Sequence, residues 1–386
     1  MTETLAAALR QPTVTPLVRA VLTHGATTLT YNLSRILAAE EVMEPYTHTA
    51  ELLLDNSDGE LTVQDFRGYQ VVLGWGAVTS ASDEYSDSPP LTIIRQELVS
   101  EQGTLTCRLL CIGIPDRLGE DRASQAYAPD SADTTTLQSL VNAILAGSPA
   151  CYAHCASVPY QWDSADALAT GYKPRDGFRV YRNGSRLAAV RKLLDFTGCA
   201  MRVESDGKVH FFQPVTSGET YDHEFSLAAG AHAFLQKAGR QTLVVPNRIV
   251  VTTPEDWATA YTGTATDAAS YALMPATQYQ VAAADSNTQA ALVAESALAK
   301  YRLQSPVATL TVPLAPQVRV LDYLGVTDAR LSDSVAGNVG LVRHRFAAGG
   351  SRKSFVWQTD IELGGWSSVR SLANRLEVYP TPQGYE

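Results

Sequence analysis

Along the first hundred residues apolar and polar positions alternate with period two, in short runs broken by turn signals, and this pattern predicts strands. In "TAELLLDNSDGELTV" the break runs from Asn56 to Gly59, and in "GYQVVLGWGAVTS" Val71, Leu73 and Trp75 fall on one face. "LTIIRQELVSEQGTLTCRLLCIG" reads as a strand, a turn at Gln102-Gly103 and a returning strand. From Val14 to about Leu118 the prediction is a mostly antiparallel barrel or sandwich.

The texture changes after Pro115. "GEDRASQAYAPDSAD" reads as a polar linker. A helix is predicted from Thr134, where Leu137, Leu140, Val141, Ile144 and Leu145 form one apolar stripe that Gly147 and Pro149 end. A second helix is predicted from an N-cap at Ser185 to a C′ glycine at Gly198, with Leu187, Val190, Leu194 and Thr197 inside. Cys199, Met201 and Val203 then alternate along a strand, Asp206-Gly207 supplies a two-residue hairpin turn, and Val209 and Phe211 return. Residues 134–214 thus predict a small α+β unit.

Strand patterns resume from about Val215 in "TLVVPNRIVVTTPED", "QYQVAAAD", "VATLTVPL", "VRVLDYLGV", "GLVRHRF" and "FVWQTDIEL". One helix interrupts them: Ser286 and Gln289 fit a capping box, Val293, Ala294, Ala297, Leu298 and Tyr301 make the buried face, and Pro306 ends it. The closing "YPTPQGYE" predicts an extended segment.

A chain of 386 residues has length for two or three domains with real cores. With 45% hydrophobic and only 18% charged residues, much of its surface must be Ser, Thr, Gln, Asn and Gly, which suits a β or assembly protein. No window approaches a membrane span, and "MTETLAAALRQPTVTP" lacks the basic start and apolar core of a signal peptide. The chain is expected to be made in the cytosol, without an integral membrane segment, and its five cysteines to stay reduced. The net charge of −10 argues against general nucleic-acid binding. Charge is also segregated. Residues 40–100 hold 12 Asp or Glu against Arg67 and Arg95, whereas residues 173–210 hold nine Lys or Arg against Asp176, Asp195, Glu204 and Asp206.

Little in the sequence points to catalysis. Cys107 and Cys111 lie inside an apolar strand pattern, where their thiols stand more than ~10 Å apart at about 3.3 Å per residue, so buried packing is favoured over zinc. "CYAHC", with Cys151, His154 and Cys155, spaces its cysteines better for a metal, but a partly buried segment remains the preferred reading. No nucleophile elbow, phosphate loop or zinc-protease motif occurs. Glu40, Glu41 and Glu44 form a carboxylate cluster, read as a solvated charged face rather than a sugar-cleaving pair. The seven histidines show no helical metal-ligand pairing; His210 is read as outward-facing, and His223 and His232 as loop residues. The patch "YKPRDGFRVYRNGSR", with Tyr172, Lys173, Arg175, Arg179, Tyr181 and Arg182, is read as a docking surface. No catalytic, metal or cofactor-binding residue is assigned, and no cofactor is expected.

Three passages together resemble the baseplate-hub family of bacteriophage tails and contractile injection systems: "ELLLDNSDGELTVQDFRGYQVVLGWG", "AVRKLLDFTGCAMRVESDGKVHFFQP", and "ALAKYRLQSPVATLTVPL" with "VRVLDYLGVTD" and "IELGG". The resemblance implies an α+β, mainly β chain with two tail-tube-like antiparallel β-barrel domains flanking a small α+β domain. Residues 1–118 would be the first barrel, 119–214 the insert with two helices and a hairpin, 215–366 the second barrel with its embedded helix, and 367–386 a C-terminal extension. It further implies a non-enzymatic homotrimeric ring in the virion tail, with the tail tube or distal tail protein above and a spike, tip or fibre protein below. DNA would pass through the ring without specific binding. Asp83, Glu84 and Asp87, taken as a loop, become the candidate acidic lining of that channel or a partner-facing rim. The alternatives are a receptor- or saccharide-binding tail-tip module and, behind it, a tail-associated peptidoglycan hydrolase.

Overall fold

The period-two alternation at the start of the chain becomes eight antiparallel strands. They are β1 (Pro16–His24), β2 (Thr27–Tyr31), β3 (Ile36–Glu44), β4 (Thr47–Asp55), β5 (Gln70–Val78), β6 (Asp83–Asp87), β7 (Leu91–Glu101) and β8 (Thr104–Ile112), preceded by a short helix α1 (Glu3–Leu9). The computed structural model describes residues 1–365 apart from 12, 102, 229, 256 and 349–354, so the extension expected at 367–386 and one residue of the Gln102-Gly103 turn lie outside the described residues. Val71, Leu73 and Trp75 are fully buried, together with Val18, Leu52, Leu54, Cys107 and Leu109 from neighbouring strands. The inward set is what fixes the register, since a one-residue slip would turn it to solvent.

A helix, α2 (Ile114–Glu120), precedes the segment read as a polar linker and takes in its first two residues, Gly119 and Glu120. Asp116 ties it to β4 by accepting from the Thr47 hydroxyl and the His48 backbone N–H, both at 2.6 Å. Helix α3 (Leu137–Ala146) starts at Leu137 rather than Thr134, because Thr136 is the N-cap and its hydroxyl accepts from the Ser139 N–H. Its five-residue apolar stripe is buried as predicted. After β9 (Tyr160–Trp162) and α4 (Ala167–Gly171), helix α5 (Arg186–Leu194) begins at the expected Ser185 cap but stops short of Gly198. The Leu194 carbonyl is taken by Lys300 Nζ and by the Thr197 hydroxyl, and Gly198 gives its N–H to Asp166, so the chain turns away early.

Strands β10 (Ala200–Val203) and β11 (Val209–Phe212) form the expected hairpin. Its turn is longer than predicted: Gly207 donates to the Glu204 carbonyl and Glu204 to the Lys208 carbonyl, enclosing Ser205, Asp206 and Gly207. This form needs only one left-handed residue, and Gly207 supplies it at φ +75°.

The remaining strands are β12 (His223–Ser226), β13 (Gln236–Gly239), β14 (Arg248–Thr252), β15 (Thr262–Thr266), β16 (Thr277–Val281), β17 (Ala308–Pro313), β18 (Tyr323–Asp328), β19 (Asp333–Ala347) and β20 (Val356–Leu363), with helices α6 (Ala268–Leu273) and α7 (Asn287–Gln304). Two separate closed barrels are not seen among the described residues. One open, 14-stranded sheet has the path β13-β17-β20-β19-β3-β4-β8-β7-β5-β1-β2, with β6 on β5 and with β12 and β18 branching from β19. The seam between its halves is the antiparallel pairing of β3 with β19.

Helix α7 does not sit on that sheet's core. Ala290, Val293, Ala294, Ala297 and Leu298 pack with Ile249, Val251 and Ala265 of the small sheet β15-β14-β16 and, in the same core, with the α3, α5 and hairpin residues. The Ser286 hydroxyl accepts from the Gln289 N–H at 3.1 Å, while the Gln289 side chain caps Asp285 rather than Ser286. The helix lies so close to β15 that a β-carbon at Gly263 would fall 2.0 Å from the Ala291 backbone nitrogen. Lys300 and Leu194 then join α7 to the end of α5.

Candidate functional site

Side chains alternate across the long sheet, so it has two distinct faces from β13 to β7. The inner face carries two apolar cores, one under β1–β8 and one under β17–β20. The outer face is mixed, with charged residues set among Val42, Leu53 and Leu110. Register places Thr311, Asp360, Arg343 and Val42 in one row across β17, β20, β19 and β3, and Gln358, Arg345, Glu40 and Glu51 in the next. Glu40 and Glu51 stand directly opposite each other, an arrangement of like charges that cations must relieve.

Arginines on neighbouring strands do this. Arg345 meets Asp360 at 2.6 Å, Arg343 meets Glu40 at 3.7 Å, Arg108 forms a forked pair with Glu51 at 2.7 and 2.8 Å and reaches Glu97 at 3.5 Å, and Arg95 meets Glu97 at 3.3 Å. Each of these four arginines of the outer face therefore has a carboxylate beside it. Single pairs of this exposure add little stability, but together they cancel charge over a broad, flat surface.

Where the seam crosses the inner face, the two apolar cores are separated by a buried polar cluster. Glu41 of β3 is fully buried, contrary to its reading as part of a solvated charged face. Its parity decides this: Ala39 and Glu41 point to the same side of β3, toward the core. Its carboxylate faces His48 Nε2 at 2.8 Å and accepts from Trp75 Nε1 at 2.6 Å and the Ser88 hydroxyl at 2.7 Å. Burial pushes the Glu41 carboxyl up, but hydrogen bonds and charge from His48, the nearness of His344 and the Ser88 hydroxyl hold it below its ordinary value.

His344 of β19 is the other half of this cluster. It lies opposite Glu41 in the β3–β19 register, with its ring 5.5 Å from that of Trp75 and its Nδ1 2.9 Å from the Thr359 hydroxyl. Burial takes its imidazole down to about 4, against a smaller opposing pull from Glu41. A cavity of about 40 Å³, lined by His48, His344, Ser88, Arg202 and Arg319, opens beside the cluster, room enough for water.

Asp83, Glu84 and Asp87 do not form a loop; they lie on the edge strand β6. Glu84 accepts from the Thr2 and Thr4 hydroxyls of the N-terminal segment and from Thr79, which lowers its carboxyl below the ordinary value, and Asp87 pairs with Arg19 at 2.9 Å. Asp83 remains exposed.

The predicted docking patch also divides. Tyr172 is buried, and its phenolic oxygen accepts from the Ala283 N–H, so it belongs to the core rather than to a surface; burial raises its hydroxyl above the ordinary value. Arg175 is held by Asp285 at 3.0 Å and lies over Trp257. Lys173 is half-buried, while Arg179, Tyr181 and Arg182 are exposed.

Cys107 and Cys111 are both buried on the inner face of β8, and burial raises their thiols to about 11 and about 12. Among the described residues no group of three His, Cys, Asp or Glu is placed to hold a metal, and no helix is long and apolar enough to cross a membrane. His210 is not simply outward-facing: it is held between Asp163 at 2.8 Å and Asp206 at 3.2 Å.

No protein-family model matches the chain, and no curated protein matches it in sequence. Its structure is similar to those of a tail protein from Neisseria meningitidis (TM-score 0.61, 11% identity, 90% of this chain and 96% of that one) and the 43 kDa tail protein of prophage MuSo2 from Shewanella oneidensis (TM-score 0.57, 10% identity, 90% and 98%). It is also similar to a chain of the Francisella PdpA-VgrG complex in its half-lidded form (TM-score 0.51, 9% identity, 97% of this chain and 60% of that one). The chain therefore shares the fold of these phage tail proteins, mainly β with mostly antiparallel sheets.

Proposed function

We propose that the chain is a structural subunit of a phage-type tail, at the baseplate hub or tail tip. In this reading three copies form a ring that joins the tail tube above to a spike or tip protein below, and the outer face of the long sheet lines the passage for DNA. The observation that carries the proposal is the charge-matched outer face. Arg95, Arg108, Arg343 and Arg345 would bind duplex phosphates if free, and each is occupied by a carboxylate. Among the described residues of that wall, these four arginines are held by carboxylates rather than left for DNA. The shared fold supports placing the protein in the virion tail and supports a non-enzymatic role.

The exposed Asp83, Arg179, Tyr181 and Arg182 are proposed to face neighbouring tail proteins, because they lie outside the paired outer face. The test is the native mass of the purified assembly together with a low-resolution image. A threefold ring with a central hole is the expected result; a monomer that stays single in the presence of its tail neighbours would refute the proposal.

A further inference from the structure

We propose that Glu41, His48 and His344 form an acid-operated lock at the seam of the long sheet, holding β3 against β19 at neutral pH and releasing them on acidification. The lock is independent of the tail reading.

Position is the first argument. The seam is the β3–β19 connection between the half of the sheet built from β1–β8 and the half built from β17–β20, and Glu41 and His344 are paired residues within it. Both are buried where the two cores meet, so a charge change there acts on the seam directly. Access is the second argument. The cavity beside His48 and His344 gives protons a route to the cluster.

Buried charge is the third. Thr359 Oγ1 accepts from the Ala315 N–H and lies 2.9 Å from Nδ1 of His344; a hydroxyl can give or take a proton there, so this contact meets either form of the ring and the burden of protonation is the buried charge itself.

The charges around the lock decide which way it turns. From β3 comes the Glu41 carboxylate; from β4, His48, whose backbone N–H is held by Asp116 of α2; from β5 and the segment after β6, the neutral Trp75 and Ser88; from β8, the Cys111 thiol, raised in part by Glu41. Across the cavity stand Glu44, Asp87, Arg202 and Arg319, with Arg202 paired to Glu204 and Asp322 and Arg319 paired to Glu204. The Glu41 carboxylate is already engaged by His48, Trp75 and Ser88, so a charge on His344 is buried with no carboxylate bonded to it.

His344 has its folded value depressed to about 4 from an ordinary 6.5. For a base depressed in this way, the stabilisation is complete above the ordinary value and falls away as pH drops toward the folded one. If opening restores the ordinary value, the open fraction of the seam rises about 30-fold between pH 8 and pH 5.

Hydrogen exchange on the full chain, corrected for intrinsic rates, tests this. Amides of β3 and β19 should lose roughly 30-fold protection between pH 8 and pH 5, while β10 and β11 keep theirs. His344→Gln, which cannot titrate, should remove the difference. Unchanged β3 and β19 protection, an equal loss in β10 and β11, or an equal loss in His344→Gln would each overturn the lock. Should that variant not fold, imidazole resonances of the wild-type chain decide: His344 titrating near its ordinary value with the seam still protected sinks the proposal, and titration well below it together with loss of seam protection supports it.

Discussion

Glu41 and His344 face each other across the pairing of β3 with β19, a carboxylate and an imidazole buried where two apolar cores meet. Glu41 is the acceptor for three surrounding groups, and replacing it strands them. Glu41→Ala should lower stability by about 3–5 kcal/mol, the range for removing one member of a buried charged network. Urea unfolding followed by tryptophan fluorescence measures it. A loss below about 1 kcal/mol would mean that the cluster adds nothing beyond filling space.

Arg186 is the largest buried cation, and it works as a cap. Its guanidinium donates to the Ile144, Leu145 and Ala156 carbonyls and to Asp121, so the end of α3 is closed by a side chain from the start of α5. Arg186→Ala leaves these acceptors buried and unmet, and should cost about 3–5 kcal/mol in equilibrium unfolding. Arg186→Lys keeps the charge but cannot reach four acceptors in a fork, and should recover less than half of the loss.

Gly263 has no space for a side chain, because the α7 backbone lies against β15. Gly263→Ala should destabilise by about 1–3 kcal/mol through overpacking, seen as a lower melting temperature with α7 still helical. An unchanged melting temperature would show that the helix can shift outward without penalty.

The charge-matched outer face makes the channel reading testable. Changing Glu51 and Glu97 to Gln frees Arg108, and with it Arg95, without altering their size. The assembled ring should then bind duplex DNA at low salt, with a log–log salt slope steeper by about 1 for each phosphate newly neutralised. Fluorescence anisotropy reads the binding; equal binding by the wild-type and altered rings would remove the outer face from the channel.

Tyr172 and Tyr181 should separate cleanly, though both lie in one basic stretch. Tyr172→Phe loses the bond to Ala283 and should cost about 1 kcal/mol in unfolding, with assembly intact. Tyr181→Ala, at an exposed site, should stay within about 0.5 kcal/mol of wild type yet weaken association with tail neighbours in sedimentation.

Much of this architecture is legible in the sequence, for identifiable reasons. Strands β1 to β5, β7 and β8 declare themselves by alternation, and Gly147 at the end of α3, Ser185 at the start of α5 and Gly207 in the β10–β11 turn mark boundaries through local chemistry that tertiary packing does not override. Residues separated by hundreds of positions are not legible in this way. Lys300 ends α5 early by taking the Leu194 carbonyl, and α7 joins the middle core rather than the second sheet, and neither has a local signal. The seam cluster had a signal of a kind. Glu41, His48 and His344 all sit at inward positions of alternating strands, between Ala39 and Met43, near Ala50, and between Val342 and Phe346. Parity marks each as buried, and a buried carboxylate needs partners.

The middle core is assembled from two stretches of chain, residues 118–211 and 249–298. During synthesis the first stretch leaves the ribosome before the residues of the second that complete its core. At about 5–20 residues per second, α7 follows on the order of 5–20 s later. For that interval α3 and α5 pack on each other but lack the face that α7 and the small sheet supply, and it is the translation clock that decides when the insert can close.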